Sequence, residues 1–195
     1  GLQGGDRRVF LFAGPPSRVL EPARVLDQPR DRVELLDFAV FDRVPQALKL
    51  LKDAGVETFD TELWYMPIPR PYMPDAKSVA QIMQQDLKDV GVNAKLVTYE
   101  WGTYLTKTGK GDHTTCLLGW TGDNGDPDNF LNVLLSSASA TPTSALNVAY
   151  YKNPEVDKLL LKAQTTVNEN VRQDAYYKAQ EIMHQDAPWV PIAYV

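Results

Sequence analysis

The run Gly119-Trp120-Thr121-Gly122-Asp123-Asn124-Gly125-Asp126-Pro127-Asp128-Asn129-Phe130 sets Asp123, Asp126 and Asp128 among glycines and a proline, directly behind an apolar segment. Leu117, Leu118, Gly119 and Trp120 read as the end of a buried strand, after which the glycines permit backbone conformations closed to other residues. The chain therefore reverses here. Pro127 and Asp128 suit the first positions of a helix whose apolar face is Phe130, Leu131, Val133, Leu134 and Leu135. A strand thus hands over to a helix through an acidic loop, and in an α/β sheet such a loop at the carboxyl end of a strand is where ligands bind.

Asp123 comes first and is the best placed of the three carboxylates. Beside Trp120 it stands in a partly apolar wall, where loss of water is costly unless a cation pairs with it, so it suits an ammonium group. The competing reading assigns the acids to structure: Asp123 and Asp126 satisfy turn amides and Asp128 caps the helix. A calcium loop is a third reading, but counted from Asp123 its sixth and twelfth positions hold Asp128 and Leu134 instead of glycine and glutamate.

This run resembles the signature of bacterial extracellular solute-binding proteins that serve peptide ABC transporters, in their dipeptide-binding branch. The likeness extends through Met66-Pro67-Ile68-Pro69-Arg70-Pro71-Tyr72, Val97-Thr98-Tyr99-Glu100-Trp101, Ala179-Gln180-Glu181-Ile182-Met183-His184 and Asp186-Ala187-Pro188, covering roughly Gln46 to Val195. The resemblance implies a periplasmic or extracellular receptor, associated with the membrane through its transporter. It also implies a two-lobed fold of which this chain is part of the second lobe, with both ends of that lobe missing. The expected architecture is α/β, a mixed sheet flanked by helices. Such relatives often carry a cysteine pair where Ser137 and Tyr150 stand here.

Composition fits a globular domain: 44% hydrophobic and 23% charged residues over 195 positions suffice for one core. A net charge of −5 argues against nucleic acid as a partner, and no apolar run is long enough to span a membrane. Cys116, the single cysteine, sits in the apolar run and reads as a buried strand residue rather than a thiol nucleophile. His113 and His184 are the only histidines; His113, in a Gly-Lys-Gly-Asp-His turn, is expected to be exposed, and zinc has little support. No metal or cofactor is expected.

Residues 1–45 stand apart. They contain Arg7, Arg8, Arg18, Arg24, Arg30, Arg32 and Arg43 but no lysine, whereas from Gln46 onward Arg70 and Arg172 are set against eleven lysines. So sharp a change in cation usage suggests a frame-shifted or foreign head on a partial lobe at 46–195. Gly14-Pro15-Pro16, Pro22 and Pro29 break the head into short pieces, and Val33 to Phe41 suit a strand or a helical turn. The apolar stretch Val9 to Ala13 is far too short for a secretory signal.

Further on, Gln46 to Ala54 reads as the end of a helix stopped by Gly55, and Thr58 to Met66 as a strand. Asp75 caps a helix to about Val90 with Val79, Ile82, Met83, Leu87 and Val90 facing the core. Ala94 to Tyr99 is a second strand, Trp101 to Lys107 a short helix, and Thr114 to Trp120 a third strand. Ser136 to Ser144 reads as a mobile surface loop carrying no chemistry. Pro154 to Gln164 and Asn168 to Gln185 are amphipathic helices, and Trp189 begins a last strand.

Pro67, Pro69, Pro71 and Pro74 hold the loop after the first of these strands extended and present Arg70. A guanidinium matches a carboxylate through two parallel hydrogen bonds, and the resemblance implies that Arg70 anchors the peptide carboxylate. Arg70 and Asp123 would then grip the two ends of a zwitterion and so select its length, with Tyr72 and Trp120 as flat walls tolerant of many side chains. Closure of two lobes would strengthen both pairs, and the closed form would be read by the permease subunits. Glutathione, haem and longer peptides are alternative cargoes among similar receptors. A truncated lobe without ligand binding, and a hydrolase using Asp123 with Asp126, are the rival classes; no nucleophile elbow, metal pair or phosphate loop accompanies the latter.

Overall fold

The computed structural model describes residues 7–13 and 44–194, with the side chains of 44–193. The readings for Gly14-Pro15-Pro16, Pro22, Pro29 and Val33 to Phe41 lie outside the described residues. Strand β1 is Arg7–Ala13, followed by helix α1 at residues 44–53, β2 at Phe59–Trp64, α2 at Ala76–Asp89 and β3 at Val92–Val97. Next come α3 at Trp101–Lys110, β4 at Thr115–Thr121 and α4 at Asp128–Leu135. A 3-10 turn at Ser137–Ser139 precedes α5 at Pro154–Thr165, α6 at Glu169–Asp186 and β5 at Trp189–Tyr194.

The strands form one mixed sheet in the order β3-β2-β4-β1-β5. β2 runs parallel to both β3 and β4, while β1 is antiparallel to β4 and β5. Pro191 lies in β5, an edge strand of this sheet, where its missing N–H costs least. Each parallel pair needs a crossover, supplied by α2 and α3. β2 meets β4 only through Leu63↔Thr115 and Trp64↔Cys116, so β4 continues well past the end of β2. Tyr104 of α3 fills this step: it is fully buried and its hydroxyl donates to the Leu117 carbonyl at 2.7 Å.

Asp75 caps α2 by accepting the Ser78 amide, as the sequence indicates. The buried stripe of α2 differs, however. Ala76 and Ala80 are buried, Val79, Met83 and Leu87 partly so, and Ile82 is 63% exposed. Small residues bring α2 close against the sheet, and the stripe 76-80-83-87 leaves position 82 outside it. Helix α3 runs three residues beyond its expected end. Glu100 caps its start through the amides of Gly102 and Thr103, and Gly111, not Gly109, takes the left-handed conformation that stops it.

His113 is a clear correction. Instead of being exposed it is 3% accessible, with its ring 5.9 Å from that of Trp64 and neither ring nitrogen hydrogen-bonded. Because α3 continues to Lys110, Gly111 and Asp112 form the turn, and His113 is already entering the core ahead of β4. Burial pushes its pKa down to about 4. Cys116 is fully buried in β4, and burial raises its thiol far out of the reactive range.

Two apolar clusters result. One packs Leu63, Trp64, Ala94, Cys116 and Leu117 of the sheet against α2 and α3; the other joins α4 to α5 and α6 through Leu131, Leu135, Val156, Leu160, Ala175 and Tyr176. Tyr151 and Trp189 touch both, so the signature helix α4, with Phe130 and Leu134 in the first cluster, ties the helical layer to the sheet.

Candidate functional site

Three loops leave the carboxyl ends of the parallel strands. The segment after β2 carries Arg70 and Tyr72, the turn after β3 opens α3 at Trp101, and the segment after β4 carries Asp123. In the order β3-β2-β4, β2 connects onward to a strand on one side while the next strand after β4 lies on the other. The crevice between their ends is thus a point where connections diverge, the place such sheets bind ligands. A cavity of about 610 Å³ occupies it, and Arg70, Tyr72, Trp120 and Asp123 all line it.

The loop bearing Arg70 is pinned by a two-way backbone bridge, Arg70 N–H to Met73 O at 3.0 Å and Met73 N–H to Arg70 O at 2.9 Å. Its guanidinium lies over two rings, 5.0 Å from the centre of Trp101 and 5.9 Å from that of Tyr72. Its Nε is buried without a hydrogen-bond partner, and the side chain has no ion pair among the described residues. Such a group is stabilised by aromatic faces but not neutralised. Tyr72 is 5% exposed, so it backs the arginine more than it offers a free face. Burial raises its phenol, and the neighbouring Arg70 opposes that rise.

The three signature carboxylates have different partners. Asp126 accepts the Asp128 amide at 2.9 Å and, through both oxygens, Nη2 of Arg172 at 2.8 Å. Burial alone would raise its pKa, but the Asp128 amide and the guanidinium hold it below the usual carboxylate range. Asp128 does not cap its helix; its side chain accepts Gln164 Nε2 at 2.8 Å. Asp123 is exposed and, among the described residues, its side chain accepts only Asn129 Nδ2, at 3.3 Å. The turn-amide role therefore holds for Asp126 and not for Asp123. Asn129 is the organiser of this corner, since its Oδ1 also accepts the Trp120 indole at 2.8 Å and the Asp123 amide at 3.2 Å. Gly125, at φ 70°, lets the loop turn between Asp123 and Asp126.

The remaining wall was not legible from charge or motif. Leu105 of α3, Leu118 of β4, Leu134 of α4 and Val148 make an apolar side. Thr143 to Leu146 close it, so the loop expected to carry no chemistry is cavity wall. That loop is anchored: Ala145 N–H and the Tyr150 hydroxyl both donate to the Gly109 carbonyl, at 2.9 and 2.7 Å. A larger hollow of about 770 Å³ lies beside the amino-terminal part of β2, lined by Asp60 and Glu62 together with Lys88 and Lys95. Its charges are mixed and solvated, which makes the 610 Å³ cavity the better site.

The model of the bacterial extracellular solute-binding proteins, family 5, middle region, matches residues 18–142, more than half of the chain. The chain belongs to this family. Among its relatives, the dipeptide-binding protein of Escherichia coli K12 is 45% identical over 150 residues, covering 76% of this chain and 28% of the relative. The haem-binding protein A of Haemophilus influenzae is 39% identical over 150 residues, 76% of this chain and 27% of that protein. The crystal structure of the dipeptide-binding protein from Pseudoalteromonas sp. SM9913 in complex with Met-Leu superposes with a TM-score of 0.78 at 29% identity, covering 98% of this chain and 43% of that one. The chain thus spans less than half the length of these solute-binding proteins. Within the family frame the mixed α/β lobe is as expected, and Trp101, absent from the expected site residues, stands in one of the motifs that carry the likeness. Among the described residues no helix is long and apolar enough to cross a membrane.

Proposed function

We propose that the chain is the gripping part of an ABC-importer receptor that captures dipeptides by their charged ends and presents them to permease subunits outside the cytoplasm. Arg70 holds the carboxylate, Asp123 the ammonium, and Trp120 provides a flat apolar wall, while Tyr72 and Trp101 back the arginine. One observation carries this reading: two opposite charges, neither ion-paired within the described protein, line a single cavity at the diverging ends of β2 and β4. A zwitterion neutralises both together. A ligand one residue longer would leave one of them without a counter-ion, at a cost of about 3 kcal/mol if that end is desolvated.

The same site performs no acid-base hydrolysis in this reading. Asp126 is engaged by Arg172 and does not line the cavity, which leaves Asp123 without a second carboxylate. The arginine-only cation usage up to residue 45 supports a separate coding origin for that region and a lobe at residues 46–195, against which stand the pairing of β1 with β4 and β5 and a family match that begins at residue 18; an uninterrupted reading frame across codons 40 to 50, shared with close relatives, would refute that division.

Titration of the 195-residue chain with Ala-Ala, followed by amide chemical shifts, tests the function. Saturable shifts at Arg70 and Asp123, weakened at least tenfold by Asp123→Ala, are expected, with no alanine released. Saturation by haem or by a tetrapeptide in preference to Ala-Ala would favour the cargo named for the Haemophilus relative, or a longer peptide. No saturation by any of them would show that this part of the protein does not bind alone.

A further inference from the structure

Arg172 and Arg70 are the two arginines beyond residue 45, and the carboxylate-binding role uses only Arg70. Arg172 lies in the first turn of α6, 46 positions from the acid it meets. Its Nη2 reaches both oxygens of Asp126 at 2.8 Å, its Nε donates to the Ala163 carbonyl at 3.2 Å, and its Cζ sits 5.1 Å from the centre of the Tyr176 ring. Ala163 is in the last turn of α5, where carbonyls lack helical partners. One guanidinium therefore ties together the end of α5, the start of α6 and the acidic loop. A lysine could not make this set of bonds, because it lacks the fork.

The loop has little else to fix it. Among the described residues, Thr121 ends β4 paired with Arg7, and beyond it the side-chain bonds to other elements are those of Asp126 to Arg172 and of Asp128, the first residue of α4, to Gln164; the bonds of Asn124 and Asn129 and the Asp126 bond to the Asp128 amide stay within the loop and its flanking residues. Asp123 is three residues from Asp126, across the left-handed Gly125. Release of Asp126 would leave Asp123 held, among the described residues, by Asn129 alone, through bonds of 3.2 and 3.3 Å to its amide and one carboxylate oxygen.

We propose that Arg172 is a positioning residue for amine recognition: by holding Asp126 against α5 and α6 it sets where the Asp123 carboxylate stands. This rests on the dipeptide reading above. Arg172 does not line the cavity. Its loss should weaken ligands with a free amino group and spare those without one, which a general loss of stability would not do.

The test uses the whole chain, as wild type, Arg172→Gln, Arg172→Lys, Asp126→Asn and the Arg172→Gln/Asp126→Asn double variant. Two quantities are read: amide hydrogen exchange along Asp123 to Asp126, and affinity for Ala-Ala and for N-acetyl-Ala-Ala by chemical-shift titration. In Arg172→Gln, loop exchange should quicken at least tenfold with β4 and α6 unchanged. Ala-Ala should bind at least fivefold more weakly, and the acetylated ligand within twofold of wild type. Asp126→Asn should reproduce this, the double variant should be no worse than either single one, and Arg172→Lys should fall between. Unchanged loop exchange overturns the proposal, as does equal weakening of both ligands. If Arg172→Gln unfolds, seen as fast exchange in β4, Asp126→Asn decides alone by the same criteria. A wild-type chain that binds neither ligand shows that this part of the protein does not bind alone, before any substitution is made, and loop exchange then decides whether Arg172 fixes the loop.

Discussion

Arg70 is held by geometry rather than by a counter-charge, and this makes it sensitive to shape. Its guanidinium spreads over Trp101 and Tyr72, and its backbone is fixed by the bridge to Met73. Arg70→Lys keeps the positive charge but loses both the planar stacking and the paired donors. Dipeptide binding should weaken about tenfold, about 1.4 kcal/mol, in the same chemical-shift titration. Trp101→Leu removes one face and leaves the fork, so its effect should be smaller than that of Arg70→Lys. If the order is reversed, the ring and not the fork holds the ligand end. The sequence shows Arg70 and Asp123 because charged residues between prolines or glycines draw notice wherever they fall. It does not show Asn129, whose one amide side chain orients Trp120 and Asp123 together, because an asparagine in a helix's first turn looks like ordinary loop chemistry.

At the level of elements, strong caps and clean periodicity make boundaries readable. Asp75 and Asn153 precede α2 and α5, Asn168 precedes α6, and each accepts the first free amides of its helix. Asn153→Ala loses two such bonds and also one of the two donors to Asp186 Oδ2, the other being the Tyr151 hydroxyl, so it should lower stability by about 1 kcal/mol in urea unfolding. What periodicity cannot give is which apolar residue of a wide stripe meets the sheet; Ile82 and Ala80 differ by two positions, and the smaller one is buried. Nor does it reveal a turn's contacts. Gly55 and Gly91 both end helices with positive φ, at 70° and 88°, and look alike in sequence. A Cβ on Gly55 would meet nothing within 4 Å, whereas on Gly91 it would lie 2.6 Å from the Glu57 carbonyl oxygen. Gly55→Ala should cost only the left-handed backbone penalty, about 1 kcal/mol. Gly91→Ala should cost clearly more, because the Glu57 carbonyl at the entrance to β2 must move; equal losses for the two variants would show that this turn yields freely.

For the molecule as a whole, His113 links stability to pH. It is buried at the join of α3 and β4, beside Trp64 and against Val148, with Asp112 the charged neighbour that favours its protonation. Burial outweighs that attraction and lowers its pKa from 6.5 to about 4. The folded chain therefore keeps the ring neutral at pH values where the unfolded chain has taken up a proton. The sign follows from linkage: the unfolded state binds more protons, so stability falls as pH falls, beginning near 6.5 and ending near 4. The span corresponds to about 3 kcal/mol from this one group. Asp126, held low by the Asp128 amide and Arg172, acts in the same direction only once carboxylates begin to protonate, so the upper part of the window belongs to His113. Replacing the ring by leucine removes the titration and leaves no unpartnered nitrogen in the core. In urea unfolding at pH 7, 6 and 5, the wild type should lose stability steadily between pH 6 and 5, and His113→Leu should stay nearly flat over the same interval. An equal slope in both proteins would place the proton uptake on another group and return His113 to the role of an inert core residue.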